Sequence, residues 1–97
     1  MNGQRYIYIM DRGWVLTGVF RKTTKDEMIV FPTKFFIMLD KCFVIRRWGT
    51  TKGIGQLARE GPTKDTVLDL EGNDIPISKL MIHHCIRCDE KAWSTWK

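Results

Sequence analysis

The stretch IPISKLMIHHCIR, from Ile75 to Arg87, decides how the chain is read. Ile75 to Ile77 is a short extended segment, and Pro76 confines it to a sheet edge because proline cannot donate to a ladder. Ser78-Lys79-Leu80 reads as a single tight turn. Met81 to Arg87 then has the length and β-branched content of a strand. Upstream, Glu71-Gly72-Asn73-Asp74 is turn chemistry, and Val67 to Leu70 is another strand.

Working back towards the N-terminus, Arg5 to Met10 alternates Tyr6, Tyr8 and Met10 on one face with Ile7 and Ile9 on the other. Trp14 to Thr23 is a second strand, with Gly18 marking a bulge or a close approach. Met28 to Phe31 is a short strand cut by Pro32. Phe35 to Leu39 and Cys42 to Trp48 flank Asp40-Lys41, read as a hairpin turn. Many short strands with close turns predict a mainly β, SH3-like barrel, in which the strand, tight turn and strand at Ile75–Arg87 form the close. One short helix interrupts it between Gly49 and Gly61, where Ile54, Leu57 and Ala58 share a helical face, Thr50 or Thr51 caps the start, and Gly61-Pro62 ends it. The 97 residues fit one domain, 1–97.

Composition narrows the partners. The formal charge is +5. Residues 1–60 carry eleven basic residues against five acids, and residues 61–97 carry five against six. Such a field favours anionic partners without choosing among them. Three cysteines, Cys42, Cys85 and Cys88, and a start (MNGQRYIYIM) with no signal-peptide h-region point to free thiols in a reducing, cytoplasmic compartment. No apolar run approaches membrane-spanning length, so no membrane partner is expected.

The densest chemistry lies at RRWGTTKGIG, Arg46 to Gly55. Arg46, Arg47 and Lys52 supply cations, Thr50 and Thr51 hydroxyls, and Gly53 and Gly55 backbone that an anion can approach closely. Trp48 offers a face on which a base stacks. Thr63 and Lys64 repeat the hydroxyl-plus-lysine pair downstream. No acid occurs from Lys41 to Arg59. This is not a phosphate-binding Walker loop, since the lysine precedes the glycines. Capping threonines and turning glycines explain part of the pattern without a ligand. The cations beside them tip the reading towards a phosphate-bearing small molecule, in the chemical class of a nucleotide, with no cofactor or metal.

The block IRRWGTTKGIGQLAREGPTKDTVLD, Ile45 to Asp69, resembles one that recurs in a family of small uncharacterised phage and prophage proteins. The resemblance covers the C-terminal half; the first half departs from it. It implies a phage-type accessory protein made in the bacterial host cytoplasm, and it brings no activity with it. Sequestration of a nucleotide signal of host defence is the role such a protein would suit.

Other motifs carry less. Cys85 and Cys88 resemble half a zinc site, but on a strand they point to opposite faces, and no second ligand pair follows. Burial as small apolar side chains is the simpler reading. His83 and Cys85 lie two apart on one strand face, about 7 Å and too far for a direct nucleophile–base hydrogen bond. Trp93 and Trp96 either fold back onto the domain or meet a second copy, which makes a homo-oligomer an expectation. Two competing readings stand beside ligand binding. One is a nucleic-acid-binding barrel that also uses Arg5, Arg21, Lys22, Lys25 and Lys34; the other is an inhibitor that docks on a host protein.

Overall fold

A computed structural model describes residues 3–96. Six strands form one antiparallel sheet: β1 (Arg5–Met10), β2 (Val15–Arg21), β3 (Phe36–Arg47), β4 (Val67–Gly72), β5 (Ile75–Ser78) and β6 (Ile82–Arg87). Two helices, α1 (Lys25–Val30) and α2 (Ile54–Glu60), and a 3₁₀ turn at Lys79–Met81 complete the frame. The order is β4-β3-β2-β1-β6, with β5 pairing the first part of β3. The chain is therefore mainly β, and the strand, tight turn and strand of Ile75–Arg87 is present.

The sheet does not close into the expected barrel. Among the described residues β6 pairs only β1, while β4 and β5 pair only β3. Two apolar clusters, one on each face, explain why closure is not needed. On one face Ile7, Ile45, Leu57, Ala58, Cys88 and Trp93 come together beneath α2 and the C-terminal tail. On the other Tyr8, Leu16, Leu39, Cys42 and Ile77 fill the hollow made where β5 curls back along β3. Helix and tail thus cover a face that a closed barrel would bury against itself.

The hairpin expected at Asp40-Lys41 is instead a bend inside one twelve-residue strand. Lys41 takes a left-handed φ of 49°, and its N–H donates to Asn73 Oδ1 at 2.8 Å. At this bend β3 changes partner, pairing β5 through Phe36–Leu39 and β4 from Cys42 onward. A hairpin is excluded because β2 pairs β3 on both sides of the bend. Gly18 sits at the register shift in that ladder, and a Cβ there would lie 3.0 Å from Leu39. Close approach is its role.

Arg5, expected at the surface, is buried. Its guanidinium donates to Thr17 Oγ1 (3.2 Å), the Lys41 carbonyl (3.1 Å) and the Trp96 carbonyl (2.7 Å), and lies over the rings of Phe43 and Trp93. Burial lowers its pKa. Cys42 and Cys88 are also buried, which pushes both thiols up to about 11. Cys85 is exposed, contrary to the expectation that it is buried. Of the two arrangements left open for the tail, the fold-back is present: Trp93 is core, and Trp96 meets Phe43 edge to face.

Met28–Phe31, read as a strand, belongs instead to α1 and its C-cap. Thr24 and Glu27 form a reciprocal capping box there, Thr24 Oγ1 accepting from the Glu27 N–H and Glu27 Oε1 from the Thr24 N–H. Arg21 then ties the helix to the sheet through a fork to Glu27 at 2.6 and 2.7 Å and contacts to Asp40 and Asp74. The hydrogen bond from Arg21 holds the Glu27 carboxyl at about 2 against an ordinary 4.5. A depressed folded-state pKa contributes stability above 4.5 that is lost as pH falls through about 2. The amide protection factors across Met28–Val30, corrected for intrinsic exchange, are therefore expected to fall over that acid window, and Glu27→Gln to remove that pH dependence. An unchanged profile in the variant would assign the acid transition to other carboxyls. Among the described residues no helix is long and apolar enough to cross a membrane.

Candidate functional site

A register shift in the β3–β4 ladder between Ile45 and Arg47 leaves Arg46 out of the pairing. Arg46 is ion-paired with Asp69 and borders a 330 Å³ hollow with Trp14 and Glu71. That contact raises its pKa. Arg47 is exposed, and among the described residues it forms no ion pair. The same holds for Lys52, Lys64 and Arg59. Trp48 is 43% exposed, which leaves much of its ring open to solvent.

Beyond Trp48 the chain forms two loops stapled to one another. Thr63 Oγ1 donates to the Gly49 carbonyl at 2.6 Å, and Thr66 Oγ1 to the Trp48 carbonyl at 2.6 Å. Gly49 has φ 70°, and a Cβ there would come within 2.3 Å of the Thr66 nitrogen, so the two backbones touch. Thr50 Oγ1 donates to the Gly53 carbonyl at 2.6 Å. The hydroxyl protons of Thr50 and Thr63 are consequently spent on the scaffold. Thr51 is exposed, with only a long contact of 3.4 Å to Gln56.

Helix α2 begins as the apolar spacing predicts, but neither threonine caps it. Gly53 is the N-cap at φ 84° with no side-chain cap, and the Gln56 carboxamide reaches back to take the Lys52 N–H at 2.7 Å. With seven residues the helix supplies little dipole. Charge at this site comes from side chains. Gly53 faces open space, whereas Gly55 makes room for another residue: a Cβ there would sit 3.2 Å from an Arg59 guanidinium nitrogen.

Arg59 leads to a feature the sequence reading missed. It lines a groove of about 560 Å³ with Arg87, Cys88, Asp89, Glu90 and Lys91. Asp89 is structural here, its N–H bonded to the Ala58 carbonyl and its carboxylate accepting from the Ala92 N–H. Three cations converge from α2, the end of β6 and the segment after it. The i, i+4 spacing of Gly55 and Arg59 was the readable signal; Arg87 and Lys91 join only through the fold.

Among the described residues no group of three or more His, Cys, Asp or Glu side chains is placed to hold a metal ion. His83 and His84 bond ring to ring through their Nδ1 atoms at 2.6 Å, both exposed. Comparison with protein-family models, curated proteins and solved structures returned no match.

Proposed function

We propose that the chain is a phage-type accessory protein that binds, and thereby sequesters, a phosphate-bearing small ligand, a nucleotide immune signal of the bacterial host being the candidate, without turning it over. The observation that carries this reading is the contrast between cations. Arg5 and Arg21 are occupied within the fold, while Arg47, Lys52, Arg59 and Lys64 are exposed on or beside a loop pair held rigid by threonines. Unpaired cations on a fixed scaffold are what a phosphate recognises at low reorganisation cost. In this reading Arg47, Lys52 and Lys64 meet phosphate, Trp48 stacks a base, Thr51 and the open Gly53 backbone add donors, and Thr50, Thr63 and Gly55 shape the scaffold. The 560 Å³ groove lined by Arg59, Arg87 and Lys91, which Arg47, Trp48, Lys52 and Lys64 do not line, has the size of a separate small-ligand site. The resemblance of Ile45–Asp69 to the phage block agrees with it.

The nucleic-acid reading is weaker, because two of its five additional cations, Arg5 and Arg21, are spent inside the fold. The test is mass spectrometry of small molecules released by denaturing protein that has been incubated in nucleotide-rich bacterial lysate. Wild type is expected to release an intact nucleotide. Arg47→Ala with Lys52→Ala should release none, since losing two charge-assisted contacts costs roughly 3 kcal/mol or more, over 100-fold in affinity. Equal recovery from both proteins, or none from wild type, would remove the proposal.

A further inference from the structure

The two walls of the groove that holds Arg59, Arg87 and Lys91 are clamped to each other through backbone. One wall is the last turn of α2, the other the end of β6 and the segment after it. The Asp89 N–H donates to the Ala58 carbonyl at 2.9 Å, and the buried Trp93 indole donates to the Leu57 and Ala58 carbonyls, both at 3.1 Å. At Gly61 (φ 83°) the chains touch, since a Cβ there would lie 2.4 Å from the Ala92 carbonyl oxygen. Cys88 fixes the second wall to the sheet: its N–H donates to the Arg5 carbonyl at 3.0 Å, and its carbonyl accepts from Gln4 Nε2 at 3.3 Å. Positions 59, 87 and 91 are therefore held relative to one another before any of their side chains makes a bond. Those side chains carry three cations with no counter-ion. All three are exposed, and among the described residues none forms an ion pair. Asp89 and Glu90 line the same groove and neutralise none of them; the Asp89 carboxylate accepts instead from the Ala92 N–H at 3.0 Å. Like charges gathered at one groove repel, and an anion bridging them removes that cost.

We infer that this groove is a second binding site, for a small phosphate monoester that also carries hydroxyl groups, the class of a sugar phosphate. The guanidinium forks of Arg59 and Arg87 and the ammonium of Lys91 suit a phosphate dianion. The two carboxylates select the rest of the ligand. They repel a polyanion such as a nucleic-acid backbone, and as acceptors they take the protons of sugar hydroxyls. The volume, about 560 Å³, is much more than a bare phosphate fills and lies in the range of small-molecule sites. The inference is independent of the loop site, because Arg47, Trp48, Lys52 and Lys64 do not line the groove.

The test is a titration of the isotope-labelled chain with ribose 5-phosphate up to about 10 mM, followed by amide chemical shifts, which reaches affinities near roughly 1 mM. Saturable shifts centred on residues 58–61 and 87–92 are expected. Arg87→Ala with Lys91→Ala should weaken binding roughly tenfold or more, with the other amide shifts unchanged, because both side chains are exposed. Arg47→Ala with Lys52→Ala should bind the ester as wild type does, so failure at the groove and failure at the loops are separate results. Glu90→Ala should weaken the ester while inorganic phosphate binds at least as well as before. Absence of saturable shifts, or equal binding by the Arg87 and Lys91 double variant, would overturn the site. Inorganic phosphate binding as tightly as the ester in wild type, with Glu90→Ala without effect on the ester, would overturn the assignment of the ligand class.

Discussion

Trp93→Ala is expected to remove about 4 kcal/mol of folding stability, the largest loss from any single side chain of the tail. The indole is 2% exposed in the cluster beneath α2. Its Nε1–H is shared between the Leu57 and Ala58 carbonyls, both at 3.1 Å. These carbonyls lie in the last turn of α2, where they also accept the Gly61 and Asp89 N–H groups, both at 2.9 Å. The ring also supports the Arg5 guanidinium at 5.5 Å, and Arg5 in turn holds the Trp96 carbonyl. Truncation therefore opens a cavity, removes a second donor from the Leu57 and Ala58 carbonyls, which keep the Gly61 and Asp89 N–H groups, and loosens the cation that joins the tail to β1. Urea unfolding followed by far-UV circular dichroism measures the loss. Trp93→Phe separates the parts: it keeps most of the volume and forfeits the donor, so about 1 to 2 kcal/mol is expected. A loss under 1 kcal/mol for the alanine variant would show that the tail is not part of the core.

The two tryptophans illustrate what a sequence of this kind discloses. Their spacing of three gives a shared face, but whether that face meets the same domain or another depends on Arg5 and α2, far off in sequence. Helix α2 was legible because Ile54, Leu57 and Ala58 repeat at helical spacing and Gly61-Pro62 ends the run. Helix α1 was misread because Met28-Ile29-Val30-Phe31 has strand composition. Its legible sign was Thr24 and Glu27 at capping-box spacing. The bend at Lys41 was not legible, since it exists only where β3 exchanges β5 for β4. In the candidate site, residue types located the cations of Arg47, Lys52 and Lys64. Sequence adjacency hid that Arg46 pairs with Asp69. Threonines that read as ligand contacts prove to spend their protons on neighbouring carbonyls, because two loops brought together must satisfy their own backbone first. The groove of Arg59, Arg87 and Lys91 joins α2 to the end of β6, and no local pattern reports such a meeting.

Gly49→Ala is the substitution expected to cost most at the candidate site, about 3 kcal/mol from a strained backbone and an overpacked contact together. Its φ of 70° is a region that alanine enters only with strain, and the added Cβ would lie 2.3 Å from the Thr66 nitrogen and 2.4 Å from the Asp65 carbonyl carbon. Those atoms are backbone, so no side chain can rotate away. The loops must part, which also breaks the hydrogen bonds from Thr63 to Gly49 and from Thr66 to Trp48. Gly53→Ala is the control. Its φ of 84° is equally unfavourable, but open space surrounds it, so only the conformational part remains, about 1 to 2 kcal/mol. Urea unfolding of both variants, with amide shifts for Trp48–Thr51 and Thr63–Thr66, distinguishes the two contributions. If Gly49→Ala loses clearly more than Gly53→Ala and shifts both loops, contact between the backbones is what fixes Arg47 and Lys52 in place. Equal losses would mean that the loops are held by their turns alone, and the rigid scaffold that the proposed phosphate recognition requires would have to be sought in α2.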